Sequence, residues 1–518
     1  MPNGLGIHPD PPPKSETLLM SHYIGIDLGT TFSAVAVFAD TGTPKILRDP
    51  EGHAITPSCV EYNGEEVFVG RGPEAKYQGG RSGVAARFKR EMGDAEARYE
   101  MAGKTFTPKD LSAAVLGRLR SIAERQLGEV AQAVITIPAN FMHEARNDTL
   151  AAAQIAGLEV SHIINEPTAA ALYYATEKEA ELSGTYAVYD LGGGTFDVSL
   201  LRVEGNDIEV LATEGVAKLG GDDFDLALKE LFRRKYAAVS GSEPPAGALD
   251  HQAIVNAKHK LSQRPKALLD VDGEPVQVTR EEFEEAISSF LSQTELLCES
   301  VLEEAGLAPA DLAGVFLAGG STRIPMVQRT VTRVFGQEPV VSDLVDEVVA
   351  LGAAIYAGLK SDGEHLSAVQ KQSISSIRMV DVATYYYGTL SLGLNEARNT
   401  TELQNTILIR KGVRVPCTET RSFATIGDDQ RSVNCRVTLC KEEETDPRFA
   451  KIVWEGDLEL PPGRPAGQPI EVSYILNENG MMECSFLDVE SGHRTDVTDL
   501  LVGAEDTDDS AIKKFLVD

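Results

Sequence analysis

Tyr23-Ile24-Gly25-Ile26-Asp27-Leu28-Gly29-Thr30-Thr31-Phe32-Ser33 is the stretch whose reading decides the fold. An apolar run ends in an aspartate, a small-residue turn follows, and two hydroxyls close it. Apolar residues before Asp27 suit a buried strand, and the break into Leu28-Gly29-Thr30-Thr31 suits a hairpin turn at its end. Gly29 lets backbone approach a ligand closely, while the amides and hydroxyls of Thr30 and Thr31 can bind phosphate oxygens. Asp27 beside them is a partner for Mg²⁺, which prefers hard oxygens and keeps several waters. Alone, the stretch describes an ordinary hairpin equally well.

An internal echo changes that balance. Tyr186-Ala187-Val188-Tyr189-Asp190-Leu191-Gly192-Gly193-Gly194-Thr195-Phe196-Asp197 repeats the apolar strand, the Asp-Leu-Gly and the threonine at a domain-sized distance. A repeat with strand context in both copies suggests two related α/β lobes, each presenting its turn to a shared cleft. A third element, Val315-Phe316-Leu317-Ala318-Gly319-Gly320-Ser321-Thr322-Arg323-Ile324-Pro325, ends a strand in a double glycine before a helix. Paired glycines let a flat ligand face lie on bare backbone, with Arg323 free to stack on it. A Gly-rich strand-to-helix connection without a ligand has the same spelling.

Around these anchors, short apolar strands alternate with helical patterns from Tyr23 to about Leu359, an α/β arrangement. Helices are expected over 108–127, 143–156, 224–236 and 280–304. Thr107-Pro108 offers a cap with proline at the first helical position, and Thr279 precedes the acidic turn Glu281-Glu282. Residues 363–382 are polar, with serines at 373, 375 and 376, and read as a linker between domains. From 383 to 500 the pattern is all-β. Residues 433–439 and 470–476 alternate, and Asn477-Glu478-Asn479-Gly480 makes a hairpin turn into 482–486.

At 518 residues, two to four domains are expected. A net charge of −31 argues against sequence-independent binding to nucleic acid or anionic lipid, which needs a basic footprint. No apolar run approaches the roughly 20 residues of a membrane helix. Residues 1–21 read as a disordered extension without the features of a secretory signal, and Met20 is an alternative start. A cytoplasmic protein is expected. The six cysteines show no metal spacing and read as structural thiols, with Cys435 and Cys440 on opposite faces of one strand. The acidic segment 501–518 reads as a solvated tail.

Five motifs in order carry a family resemblance: Ile-Asp-Leu-Gly-Thr-Thr (26–31), Ile-Asn-Glu-Pro-Thr-Ala-Ala-Ala (164–171), Asp-Leu-Gly-Gly-Gly-Thr-Phe-Asp (190–197), Leu-Gly-Gly-Asp-Asp-Phe-Asp (219–225) and Gly-Gly-Ser-Thr-Arg-Ile-Pro (319–325). From Tyr23 to about Val497 the chain resembles the seventy-kilodalton heat-shock chaperones of the DnaK type. The resemblance implies a two-lobed, actin/hexokinase-like ATPase domain over 22–362 and a peptide-binding β-sandwich over 383–500. ATP or ADP, Mg²⁺ and K⁺ are the cofactors it implies. Asp27 and Asp190 would hold Mg²⁺ through water, and Gly29, Thr30, Thr31, Gly192, Gly193, Gly194 and Thr195 would cradle phosphate. Glu166 and Asp197 would order the attacking water, and Lys76 would supply the catalytic cation. Gly220, Gly221, Lys258, Ser262, Gly319, Gly320, Ser321 and Arg323 would complete the nucleotide site.

In the same resemblance Pro138, Arg146 and Asp381 signal between domains, and Val433 lines the pocket for an apolar client side chain. Extended polypeptide, a J-domain co-chaperone and a nucleotide-exchange factor are the implied partners. The chain departs from the pattern in several places. Val255 stands at the ribose-binding glutamate and His259 at the adenine-stacking arginine. His162 replaces a basic residue in the co-chaperone groove, residues 83–101 and 266–278 are trimmed, and the chain ends without room for a helical lid. Arg378-Met379-Val380 replaces the linker's leucines, and an arginine buried unpaired is costly, which weighs against docking. A regulatory protein gated by nucleotide and binding one dedicated partner is the alternative to a general chaperone.

Overall fold

The computed structural model describes residues 22–177, 183–204, 207–363, 365–375, 377–395 and 400–497. The expected extension over 1–21 and the acidic tail lie outside them. The first lobe is built on a sheet ordered Val160–Asn165, Val130–Ile137, His22–Asp27, Phe32–Phe38, Pro44–Ile46. His22–Asp27 runs parallel to Val130–Ile137 and antiparallel to Phe32–Phe38. The second lobe repeats this plan. Ser183–Leu191 runs antiparallel to Phe196–Glu204 and parallel to Leu312–Ala318. The duplication read from Asp27 and Asp190 is therefore a duplication of sheet topology. The copies differ in one telling place, since Asp27 pairs with Ala34 whereas Asp190 pairs with Asp197.

Two helices, Glu166–Glu177 and Val348–Lys360, cross between the lobes and are buried over most of their length. They approach closely because Gly352 has no side chain: a Cβ there would run into the carbonyl of Ala169. The expected helices are present as Pro108–Leu127, His143–Ile155, Gly221–Ser240 and Arg280–Ala305. Thr107 and Thr279 each form a reciprocal capping box, with Asp110 and Glu282. Such caps satisfy amides that the first turn leaves without partners.

The linker is more ordered than its polar sequence suggests. Ala368–Ile374 is a helix capped by Ser367, and Gln370 is buried with its Nε2 donating to the Phe38 carbonyl at 2.6 Å. Arg378–Val382 then pairs parallel with Asp207–Val216 and antiparallel with Arg414–Val415. The argument against docking fails because Arg378 lies exposed at the strand's start, while Val382 reaches the buried core between the lobes. Residues 367–374 and 378–382 thus pack against the two-lobed domain, and Asp381 and Val382 also pair with Arg414–Val415 of the C-terminal domain.

The C-terminal domain is a sandwich of two four-stranded antiparallel sheets. Val437, Leu439, Tyr474 and Phe486 lie in its core, with Trp454 stacked on Phe486. Pro469–Leu476 and Met482–Asp488 form the expected hairpin. Cys435 faces the core, while Cys440 lies on the other side against Asn405, as their odd spacing implies. All six cysteines are free thiols. No helix among the described residues is long and apolar enough to cross a membrane.

Candidate functional site

The turns after Asp27 and Asp190 meet face to face. A Cβ on Gly193 would fall on the Thr31 side chain, and one on Gly194 on that of Thr30. Gly220 approaches the backbone of Gly193 and Gly194 just as closely, and Gly221 approaches Ser321 and Lys258. The hydroxyls of Thr30 and Thr31 are buried without hydrogen-bond partners. Two donors orphaned in a bare-backbone cradle suit phosphate oxygens, because leaving them unmatched is costly. Gly29 opens the first turn, its amide donating to Ser33 Oγ at 3.1 Å.

Below the cradle, Asp27, Glu166, Asp190 and Asp197 gather around one cation. Thr136 donates to Asp27 Oδ1 at 3.1 Å, and the Ala139 amide donates to Asp197 Oδ1 at 3.1 Å. Burial, then repulsion from Glu166, pushes the Asp27 carboxyl up to about 7. The same two causes raise Asp190 and Asp197 well above the ordinary range. Four carboxylates against one ammonium leave an excess of negative charge on hard oxygen donors. Hard oxygen donors of this kind suit Mg²⁺.

The cation is Lys89, not Lys76. Lys89 Nζ is almost fully buried and donates to Glu166 Oε1 at 2.5 Å. Lys76, on the helix Arg71–Gln78, is 44% exposed and pairs with Glu61. Lys76 was singled out by the motif Gly72-Pro73-Glu74-Ala75-Lys76 and the resemblance it carries. Lys89 sits in a 3-10 turn, Phe88–Glu91, within the trimmed segment 83–101. The available signal was a lysine between Phe88 and Arg90 directly after the short buried strand Val84–Ala86.

Two neighbours of Lys89, absent from the sequence expectations, tie the lobes together. Arg87 Nε donates to Asp222 Oδ2 at 2.8 Å, and Arg90 Nε to the Gly194 carbonyl at 2.9 Å. Beyond the cradle, Lys258 Nζ donates to Asp225 Oδ2 at 2.8 Å and to the Gly221 carbonyl at 2.9 Å. Ser262 turns back to the Lys258 carbonyl, and Ser321 donates to the Gly192 carbonyl at 2.8 Å. Arg323 is half-exposed and pairs with Asp346 at 3.0 Å. A Cβ on Gly319 would meet Asp190, and one on Gly320 would meet Asp346. Val255 and His259 lie on the same helix as Lys258, His251–Gln263.

From Asp197 a continuous set of contacts leads to the sandwich. Ala139, which holds Asp197, follows Pro138, and the Asn140 carbonyl accepts Tyr385 Oη at 2.6 Å. Arg146 Nε donates to the Phe141 carbonyl at 3.1 Å, and another guanidinium nitrogen to the Asn479 carbonyl at 3.2 Å. Asn165 Nδ2 donates to Asp381 Oδ2 at 3.1 Å, and the Ile163 amide to Asn479 Oδ1 at 3.1 Å. Lys411 pairs with Glu214 and Glu304, and Lys451 with Glu144. His162 packs edge-on against Tyr356 and lies 3.5 Å from Glu478. Pro138, Arg146 and Asp381 therefore meet at one interface, joined by Asn165, Tyr385 and Asn479, which motif reading did not single out.

In the sandwich, Val433 is half-buried against the core. The ladder between Tyr386–Asn395 and Ser432–Cys440 covers only Tyr386–Thr389 with Val437–Cys440. Beyond it, residues 390–395 and 432–436 diverge, with Leu392 exposed. The family model described as Hsp70 protein matches residues 23–518. The chain belongs to the Hsp70 family, whose members are ATP-dependent chaperones that bind and hydrolyse ATP.

Proposed function

On the premise of that membership, we propose that this chain hydrolyses ATP between its lobes and uses nucleotide state to gate the sandwich's hold on extended apolar peptide. The observation that carries the reading is the buried constellation of Asp27, Glu166, Asp190, Asp197 and Lys89 beneath orphaned Thr30 and Thr31 hydroxyls. Thr30, Thr31 and the amides around Gly192 to Thr195 bind the phosphates. Asp27 and Asp190 would hold Mg²⁺, which would supply neutralisation of phosphate charge when bound. Lys89 stabilises charge growing on the transferred group, while Asp197 and Glu166 orient the attacking water.

The signal to the sandwich runs through the contacts from Asp197 to Ala139, then to Tyr385, Arg146 and Asn479. A change at Asp197 shifts the Pro138–Phe141 turn, whose Asn140 carbonyl accepts from Tyr385 of the sandwich. The client adds as an extended segment where residues 390–395 and 432–436 part, with Val433 receiving an apolar side chain. Extended polypeptide, a J-domain co-chaperone and a nucleotide-exchange factor are the partners of this reading, and the cytoplasm is its compartment.

A second reading is a regulator serving one dedicated partner, favoured by Val255 and His259 in the adenosine slot. Either reading includes ADP binding weaker than nanomolar, because stacking and ribose contacts are reduced. Steady-state ATPase with and without diverse apolar peptides separates the two. Stimulation by many peptides supports the chaperone, and stimulation by none supports the regulator. Absence of ATP turnover contradicts both.

A further inference from the structure

A second cavity, of about 540 Å³, lies beneath the linker helix, and none of the phosphate or carboxylate residues lines it. Its volume falls within the range of small-molecule sites, roughly 300–1,000 Å³. Three separate parts of the chain wall it. Phe38 comes from the last position of the strand Phe32–Phe38, Tyr173, Leu351 and Ile355 from the two central helices, and Ile374 from the linker helix. Phe38, Tyr173, Leu351, Ile355 and Ile374 are all buried. Lys45, Arg48 and Glu347 are the charged residues of the lining, with both cations exposed. Arg48 donates to the Gly52 carbonyl at 3.0 Å. Two cations and one carboxylate make a local positive excess, in a chain whose net charge is −31.

The linker helix is fastened over this space by specific bonds. Gln370 Nε2 holds the Phe38 carbonyl, and Ser367 Oγ donates to the Asp40 carbonyl at 3.2 Å. We propose that the cavity binds a small amphiphilic carboxylate, its acyl chain against Phe38, Tyr173, Leu351, Ile355 and Ile374 and its head between Lys45 and Arg48, and that occupancy holds the linker docked. The apolar walls suit a hydrocarbon tail, and the paired cations suit an anionic head. Glu347 beside Arg48 opposes heads of higher negative charge, which favours a single carboxylate over a phosphate dianion. Because Ile374 supplies part of the wall, the ligand binds the docked linker better than the released one. A ligand with that difference shifts the equilibrium toward docking.

Titration of the full chain with decanoate by isothermal calorimetry tests the site, with decanol as the uncharged control. Saturable binding at one site is expected, weakened by about tenfold or more in a Lys45→Glu, Arg48→Glu double variant that loses its charge-assisted contacts. Both side chains are exposed, so the variant keeps its fold. Amide exchange over residues 368–382 should slow with decanoate in the native chain and not in the double variant. Absence of saturation, unchanged affinity in the double variant, or equal binding of decanol overturns the site. Binding without slowed exchange overturns its hold on the linker.

Discussion

Arg146→Ala should undock the sandwich while leaving both domains folded. The guanidinium makes three hydrogen bonds, of which one crosses between domains, to the Asn479 carbonyl. A hydrogen bond to a charged group contributes about 1.5–3 kcal/mol net. Losing one therefore lowers the docking equilibrium constant by roughly 10- to 150-fold. The bond to Asn165 also orients its amide toward Asp381, so the strand Arg378–Val382 loses support as well. Hydrogen exchange gives a local readout, because the Ile163 amide donates to Asn479 Oδ1 only while the domains are docked. Exchange at Ile163 should accelerate by the same factor when opening and closing are fast. Arg146→Lys should fall between, since an ammonium cannot reproduce the planar fork. Unchanged exchange at Ile163 and over 477–481 in Arg146→Ala would refute the reasoning, whatever happened to ATPase.

Two further outcomes follow from the same contacts. Burial, and after it Lys360, holds the His162 imidazole below its usual value against the opposing pull of Glu478. Undocking takes Glu478 away with the sandwich and leaves Lys360 beside the ring, so Glu478 is the partner that links this pair of side chains to docking. Glu478→Gln should therefore loosen docking by about 0.2–1 kcal/mol, read as lower interdomain fluorescence transfer than in the native chain. Unchanged transfer in that variant contradicts this. In the cleft, Gly194→Ala would place a methyl group on Thr30. The variant should lose the thermal stabilisation by ADP, worth about 2.7 kcal/mol at a hundredfold excess over Kd in the native chain. Equal stabilisation of variant and native chain would show that phosphate does not lie there.

Much of the fold was legible because it is repeated and punctuated. Asp27 and Asp190 mark equivalent strand ends, and Thr107 and Thr279 mark helix starts by a local chemistry that needs no tertiary knowledge. Lys89 was not legible, because what singles it out is burial beside Glu166, a residue far along the chain. The linker misled for the opposite reason. Its serines look like loop residues, yet Ser367 is a helix cap, and Gln370 reaches a free carbonyl on a distant strand. Arg378 looked prohibitive, yet it lies exposed at the strand's first position. At the interface, Asn479 was read as a turn residue, which it is, and its partners across the domain boundary leave no local trace.

Single-turnover ATP hydrolysis by the native chain, Lys89→Ala and Lys76→Ala tests the central claim most directly. Removing one preorganised charge-stabilising group from an active site typically costs about 10²–10³ in rate. The geometry predicts that loss for Lys89→Ala and a native rate for Lys76→Ala, whose ammonium is engaged with Glu61. A native rate in Lys89→Ala, or the loss appearing in Lys76→Ala instead, would contradict the assignment of this carboxylate cluster as the hydrolytic centre.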